Sequence, residues 1–345
     1  MITSTLKRDQ SISVAKGIAI ILMVLAHTRF CSYGAWFINM FHMPLFYFAS
    51  GYCFKDKYLD EFRNFFVKRI KGIYYPYIKW CLIFLLLYVV FLRLHLIKGN
   101  EYTCSDYLSK LTRIFTLNSG FSELLGGYWF LESLFWASFI SYFWLKIFRK
   151  PLLGVWIIVV IAILLLWKGW SFPYLSIWGK EFFASSFFLF GKCLKDEKFE
   201  FKVNVYIVLF SVLVIAIGTH YWAMGMNGNK MCWWKIVPFF VTAILGINLI
   251  MFLSRYLVQR YGTVFYVNFL ADAGNNSLTI LTWHFLLFKF VSLLIVAFFE
   301  LNIESLSEFP VITEYAQMGF SLLFFMVGLM IPMSIVKCEK LKFLR

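Results

Sequence analysis

Ten apolar stretches recur along the chain, at about 12–30, 34–54, 72–98, 127–148, 151–168, 180–194, 203–222, 235–254, 277–298 and 317–336. A helix rises 1.5 Å per residue, so about 20 apolar residues match the roughly 30 Å hydrocarbon core of a bilayer. Of the 345 residues, 61% are hydrophobic and only 15% are charged. A soluble domain exposes too much of its surface to carry that composition. The fold expected is therefore an all-α polytopic membrane protein, a bundle of about ten transmembrane helices forming one domain over residues 1–345 with no separate soluble domain. The sixth stretch is short enough to tilt or re-enter, and the third is long enough to tilt or to project beyond the bilayer.

Lysine and arginine orient such a bundle, because they gather in the cytoplasmic loops. Placing the N-terminus inside puts most of the 33 basic residues on the cytoplasmic side: Lys7 and Arg8, the 55–71 loop, KIFRK, the 192–202 loop, Arg255, Arg260 and the tail KCEKLKFLR. An even number of crossings then leaves both termini cytoplasmic. The net charge of +15 reads as this bias together with attraction to anionic membrane lipid. No basic segment is organised as a nucleic-acid reading helix, so nucleic acid is not an expected partner. Lys7 and Arg8 before an apolar run resemble a signal peptide, but no A-x-A-like cleavage site follows and His27 stands where it would be, so the run is kept as the first crossing. The seven cysteines lack C-x-x-C or metal-like spacing, which supports neither a disulfide frame nor a metal site and assigns them to buried packing.

With so little of the chain outside the membrane, chemistry must sit in the bundle or at its faces. Residues 14–28 read VAKGIAIILMVLAHT. Lys16 and His27 are three helical turns plus about 20° apart, so they share a face, about 16.5 Å apart along the axis. A charge at mid-bilayer costs roughly 2.5–3.5 kcal/mol on insertion scales, so ionisable residues there usually face an interior or a cavity. The competing reading has Lys16 snorkelling to headgroups and His27 ending the helix. The second stretch, FHMPLFYFASGY, brings His42, whose neutral imidazole still needs polar partners in lipid; its Ala-Ser-Gly reads as close helix packing. The fourth, GGYWFLESLF, brings Glu132, and Trp129 as an interface residue unless it lines a cavity. In this topology His27, His42 and Glu132 all fall in the outer half of the membrane, a candidate acid–base cluster if the three helices are neighbours.

The inner side is basic. In FVKRIKGIYYPYIKW, Arg69 and Lys71 precede Pro76 at the start of the third stretch. For most of these bases positive-inside topology is explanation enough. A basic, aromatic mouth also suits a phosphorylated ligand, since arginine pairs phosphate oxygens in a bidentate fork. The ninth stretch opens AGNNSLTILTWHFLLFK, where Asn275, Asn276 and Ser277 can cap the helix. His284 and Lys289 within it are either functional or paired with another helix.

VAKGIAIILMVLAH, FHMPLFYFASGY, FVKRIKGIYYPYIKW, GGYWFLESLF, FFLFGKCLK and AGNNSLTILTWH occur in this order. As a set they resemble the acyltransferase-3 family of bacterial integral-membrane O-acyltransferases, in particular its fucose 4-O-acetylase-like branch. The resemblance implies an O-acetyltransferase of the bacterial inner membrane. Its donor substrate would be acetyl-CoA, with no metal. Its acceptor would be a hydroxyl of a cell-surface glycan or a lipid-linked sugar precursor. Lys16 and His27 match the family's basic residue, ten positions and histidine, which implies donor contact for Lys16 and catalysis for His27. Arg69 falls on the family's next basic position, with Lys71 beside it as a donor-binding candidate. His42 and Glu132 are assigned to the catalytic set, and Trp129 and His284 to substrate binding. Two positions depart from the pattern: Ser13 stands where many members have aspartate, and Gly72 where a second arginine is usual. No extracellular hydrolase-like domain is appended, as expected of a stand-alone member.

The reading combines these parts. The CoA nucleotide stays at the cytoplasmic mouth near Lys16 and Arg69, and its pantetheine arm runs along the first helix to His27. His27 takes the acceptor's proton as general base, with an acetyl-histidine intermediate as the variant. The alternative from another class is a transporter or flippase for lipid-linked saccharides, since intramembrane His, Glu and Lys also mark proton pathways. Transporters often carry inverted repeats or paired broken helices, and the sequence displays neither.

Overall fold

The computed structural model describes residues 9–172, 175–199, 201, 204–227, 231–262 and 264–342, with side chains as far as Val336. Lys7, Arg8, Lys202 and Arg345 lie outside the described residues. The chain is helical almost throughout. Helix α1 (Gln10–His27) is followed by the pair α2 (Ser32–Asn39) and α3 (His42–Tyr52). A turn, α4 (Lys57–Asp60), and α5 (Phe62–Arg69) run through a π-turn at Ile70–Tyr74 into α6 (Tyr75–Leu86) and α7 (Tyr88–Arg93). Next come α8 (Cys104–Phe115), a 3₁₀ segment at Glu123–Tyr128, α9 (Trp129–Phe148) and α10 (Pro151–Lys168). A two-residue hairpin, β1 (Ser171–Phe172) with β2 (Ile177–Trp178), leads to α11 (Gly179–Asp196) and α12 (Val205–Tyr221). The rest is α13 (Ile236–Tyr261), α14 (Phe265–Asn275), α15 (Ser277–Phe298), the turn α16 (Thr313–Tyr315) and α17 (Ser321–Lys342).

Among the described residues, five helices are long and apolar enough to cross a membrane: Gln10–His27, Pro151–Lys168, Trp233–Tyr261, Ser277–Phe298 and Thr313–Val336. The shorter Val205–Tyr221 is apolar as well. The other expected crossings are helical but differ in kind. Helices α9 and α11 carry buried polar groups, Glu132 and Ser141 in one and Lys180, Glu181 and Lys192 in the other, because they lie inside the bundle. The second stretch breaks at Met40–Phe41. The third breaks at Leu87 and leaves the helix after Arg93, because Tyr88 turns back to stack on Tyr102 at 3.7 Å and to donate to the Asn100 carbonyl at 2.8 Å.

Two helix pairs form the frame of the site, and glycines on both partners set each contact. A Cβ on Gly17 would fall 1.9 Å from the Leu270 carbonyl oxygen, and one on Gly274 equally close to that of Ser13. Helices α1 and α14 therefore touch backbone to backbone. Gly51 and Gly191 do the same for α3 and α11, against Phe188 and Phe48. Small residues allow this approach, and van der Waals contact then holds the helices where lipid supplies no hydrophobic drive.

Three local expectations are corrected. The first crossing was expected to reach residue 30, but α1 ends at His27, because the Thr28 hydroxyl turns back to the Leu25 carbonyl (2.8 Å) and Arg29 takes a left-handed conformation (φ 55°). Asn276 stands at the N-cap of α15, but neither asparagine side chain caps it: Asn275 Oδ1 accepts from the Ser13 hydroxyl (2.9 Å), and Asn276 Nδ2 donates to the Asp272 carbonyl (2.7 Å). The cysteines are not mainly packing residues. Of the six described, Cys81 and Cys193 are buried, whereas Cys31, Cys53 and Cys104 are exposed.

Candidate active site

One stripe of α1 lines two cavities in succession. Ile12, Ser13, Lys16, Ile20 and Met23 wall the first, of about 310 Å³. Met23, Ala26 and His27 wall the second, of about 550 Å³. The steps of three and four residues follow one helical face. Met23, Met43 and Leu281 border both cavities, so the two spaces meet at these three apolar side chains. Both volumes are within the usual range of ligand sites.

The first cavity is cationic. Lys16, Lys68 and Arg69 line it, and among the described residues no aspartate or glutamate does. Arg69 projects from the end of α5 across the cavity floor, its Nη1 donating to the Ser50 hydroxyl at 3.2 Å. Its guanidinium lies over the rings of Phe65 (5.2 Å) and Phe188 (5.7 Å), contacts that favour a desolvated cation. Arg69 Nε is buried with no partner among the described residues. A buried donor left open beside a cavity suits an anionic ligand. Gly72 also lines the cavity, and a Cβ there would meet nothing within 4 Å. Lys71 is exposed and is not part of the wall. The loop beneath is tied to α11, with Lys195 donating to the Phe54 carbonyl at 2.9 Å and Lys192 paired with Asp56 at 2.8 Å.

The second cavity holds the histidines. His27, His42 and Trp129 line it together with Arg29, Asn39 and the 309–313 segment. His42 is the first residue of α3, and its Nδ1–H bridges the helix break by donating to the Ile38 carbonyl at 2.9 Å. A carbonyl only accepts, so Nδ1 carries a proton, and in the neutral imidazole Nε2 carries the lone pair. His284 stands behind His27 rather than in the wall, its ring 5.4 Å from that of His27 between centroids. Its Nδ1–H donates to the Ile280 and Leu281 carbonyls, both at 3.0 Å. Its Nε2 is buried and unpartnered among the described residues.

Glu132 is not brought to either wall. Its Oε1 accepts from the Tyr77 hydroxyl (2.6 Å) and the Ser119 amide (2.7 Å), so it anchors the 119 segment to α9. Lys289 is paired rather than free, donating to the carbonyls of Leu306 (3.0 Å) and Glu308 (2.7 Å). Arg29 grips the same segment through Thr313 Oγ1 (3.0 Å) and the Phe309 carbonyl (3.1 Å). Those two cations hold Phe309 and Pro310 over the second cavity.

Several contributors were missed by the sequence reading. Tyr58, Lys68 and Ser50 line the first cavity, and Lys68 donates to the Tyr58 hydroxyl at 3.0 Å. Lys180 and Glu181 form a buried ion pair at 3.1 Å. The pair had a legible sign in GKEFF, adjacent opposite charges opening an apolar stretch. Lys68 had none, being one base among many.

A model of the acyltransferase-3 family, described as an acyltransferase domain, matches residues 9–338. The nodulation protein NolL of Mesorhizobium japonicum is 31% identical over 173 residues, covering 46% of this chain and 41% of its own length. The chain thus spans about two fifths of that relative. No solved structure matches the chain.

Proposed function

The chain belongs to the acyltransferase-3 family, and from that premise we propose that it is a membrane O-acetyltransferase that moves acetyl from acetyl-CoA to a hydroxyl of a cell-surface glycan or its lipid-linked precursor. The observation that carries the reading is the succession of two cavities along α1, Lys16 in one and His27 in the other, meeting at Met23, Met43 and Leu281. The nucleotide end of the donor rests in the cationic cavity, its phosphates against Lys16, Lys68 and Arg69. The slender pantetheine arm passes the apolar junction and delivers the thioester beside His27. The glycan hydroxyl arrives in the second cavity, beside Trp129.

His27 takes the hydroxyl proton as the oxygen attacks the acetyl carbonyl. The C–S bond then breaks, and the imidazolium returns the proton to the departing thiolate. General-base help of this kind is typically worth 10²–10⁴-fold. His284 orients His27 from behind, and His42 faces the acceptor. Glu132 acts at a distance by fixing the 119 segment.

The membrane placement belongs to the same proposal: ten crossings in the bacterial inner membrane, both termini cytoplasmic. Native cysteines test it. A membrane-impermeant maleimide on spheroplasts should label Cys31 and Cys104 but spare Cys53, and the reverse pattern would invert the orientation. The activity is tested with membranes containing the protein, labelled acetyl-CoA and de-O-acetylated envelope glycan. Label should enter alkali-labile esters and vanish in His27→Ala. Unlabelled glycan alongside intact sugar export would favour a transporter.

A further inference from the structure

A third cavity, of about 720 Å³, adjoins the second, and Trp129 and Asn227 line both. Its walls include residues of the 118–126 segment before α9, the end of α10 at Leu165, Leu166 and Gly169, the β1–β2 hairpin, and Asn227 and Met231 between α12 and α13. It lies on the His27 side of the junction and shares none of its lining with the cationic cavity.

We infer that this third cavity is a second sugar subsite, so that the acceptor is an oligosaccharide whose acetylated residue sits beside His27 while its neighbour lies between Trp129 and Trp178. The inference rests on the glycan-acceptor reading above and adds the length of the acceptor to it. Its chemistry separates a sugar from the other candidates. Trp129, Trp178 and Phe172 supply aromatic faces, whose negative π-surface suits the C–H face of a pyranose ring. Asn118, Ser176 and Asn227 supply amides and hydroxyls, which donate and accept as sugar hydroxyls require. A lipid tail would call for an apolar wall throughout.

A phosphate would call for open cations, and the one cation among the described residues of the wall is already committed. Lys180 is 4% exposed and paired with Glu181 at 3.1 Å. Its ammonium also sits 5.8 Å from the ring centre of Trp129 and 5.8 Å from that of Trp178. One buried charge thus holds both indoles in a fixed corner, which lowers the ordering cost of binding.

The test uses the full chain in nanodiscs with de-O-acetylated envelope glycan, hydrolysed and separated into single sugars and oligosaccharides of two to five residues. With labelled acetyl-CoA, the oligosaccharides should reach half-saturation at roughly tenfold lower concentration than single sugars, a typical aromatic-contact effect. Trp178→Ala and Phe172→Ala should each remove most of that advantage, and Trp178→Phe should retain it. Equal use of both pools by the wild type would overturn the subsite while leaving the glycan reading intact. So would a Trp178→Ala variant that loses rate with its half-saturation unmoved. If neither pool takes label, the acceptor reading fails, and equilibrium binding of fluorescently tagged oligosaccharides decides the subsite alone. Binding weakened by Trp178→Ala would support it, and no binding would overturn it.

Discussion

The imidazole of His284 lies 5.4 Å from that of His27, centroid to centroid, with Nδ1 committed to two carbonyls of its own helix and Nε2 buried without a partner among the described residues. With Nδ1 donating, the neutral imidazole leaves Nε2 as an acceptor, next to the ring proposed above as the general base. His284→Phe keeps the bulk and removes the acceptor. Its kcat should fall about 10–100-fold, within the span of acid–base contributions, with donor KM little changed. A variant that elutes as a single species and turns over like wild type would reduce His284 to packing.

Lys16 is expected to act on the donor. Lys16→Ala should raise the KM for acetyl-CoA by roughly tenfold, the loss of one charge-assisted contact, and Lys16→Arg should come close to wild type. Saturation curves in membranes decide it, and an unchanged donor KM in Lys16→Ala would remove Lys16 from that role.

Gly72 faces open space in the same cavity. Gly72→Arg restores the cation usual in the family at that position without a clash at its Cβ. Donor KM should fall by a few-fold, and the fall should shrink at high salt, where charge pairs are screened. A rise in donor KM would mean that the open space is needed by the donor itself.

Tyr58 gives the donor site a pH dependence. Burial raises its phenol, but the hydrogen bond and charge of Lys68, with Lys55 and Lys57 nearby, outweigh this and bring it below the ordinary tyrosine value. As pH rises, Tyr58 therefore ionises earlier than a free tyrosine and adds negative charge to the cavity proposed to hold the donor phosphates. Donor KM should climb through the alkaline range in wild type and stay flatter in Tyr58→Phe. Parallel curves would show that the climb has another source.

Lys289 is structural in this account. Lys289→Met keeps the buried stem and strands the carbonyls of Leu306 and Glu308. An unsatisfied buried polar group costs about 1–3 kcal/mol, so the melting temperature in detergent should drop by several degrees. Acceptor KM should rise too, because the same segment roofs the histidine cavity. Unaltered melting would place the anchorage of that segment on Arg29 alone.

The contrast between Lys16 and Glu132 shows what was legible in the sequence. Helical periodicity alone put Lys16 and His27 on one face, and the structure finds that face along two cavities. Glu132 carried an equally strong intramembrane signal, yet its partners are Tyr77 and the Ser119 amide. Position along the bilayer can be read from hydropathy, whereas the direction of a side chain depends on which helices are neighbours. The same limit hid Lys68, Tyr58 and the loop around Phe309, whose parts meet only through long-range packing. Helix breaks at Met40 and Leu87 were equally silent, because hydropathy averages over them.

The junction of Met23, Met43 and Leu281 has a consequence for the cell as a whole. A continuous file of water through a protein in an energised membrane would let protons run down a potential worth about 2.3 kcal/mol per charge per 100 mV. Side chains without hydrogen-bonding heads leave such a file nothing to hold on to, and methionine is flexible enough to bend aside for a thin chain and spring back. Under the proposed function, insulation and passage fall to the same three residues, and widening them to alanine should show as proton conductance in sealed vesicles before it shows in any rate of acetylation.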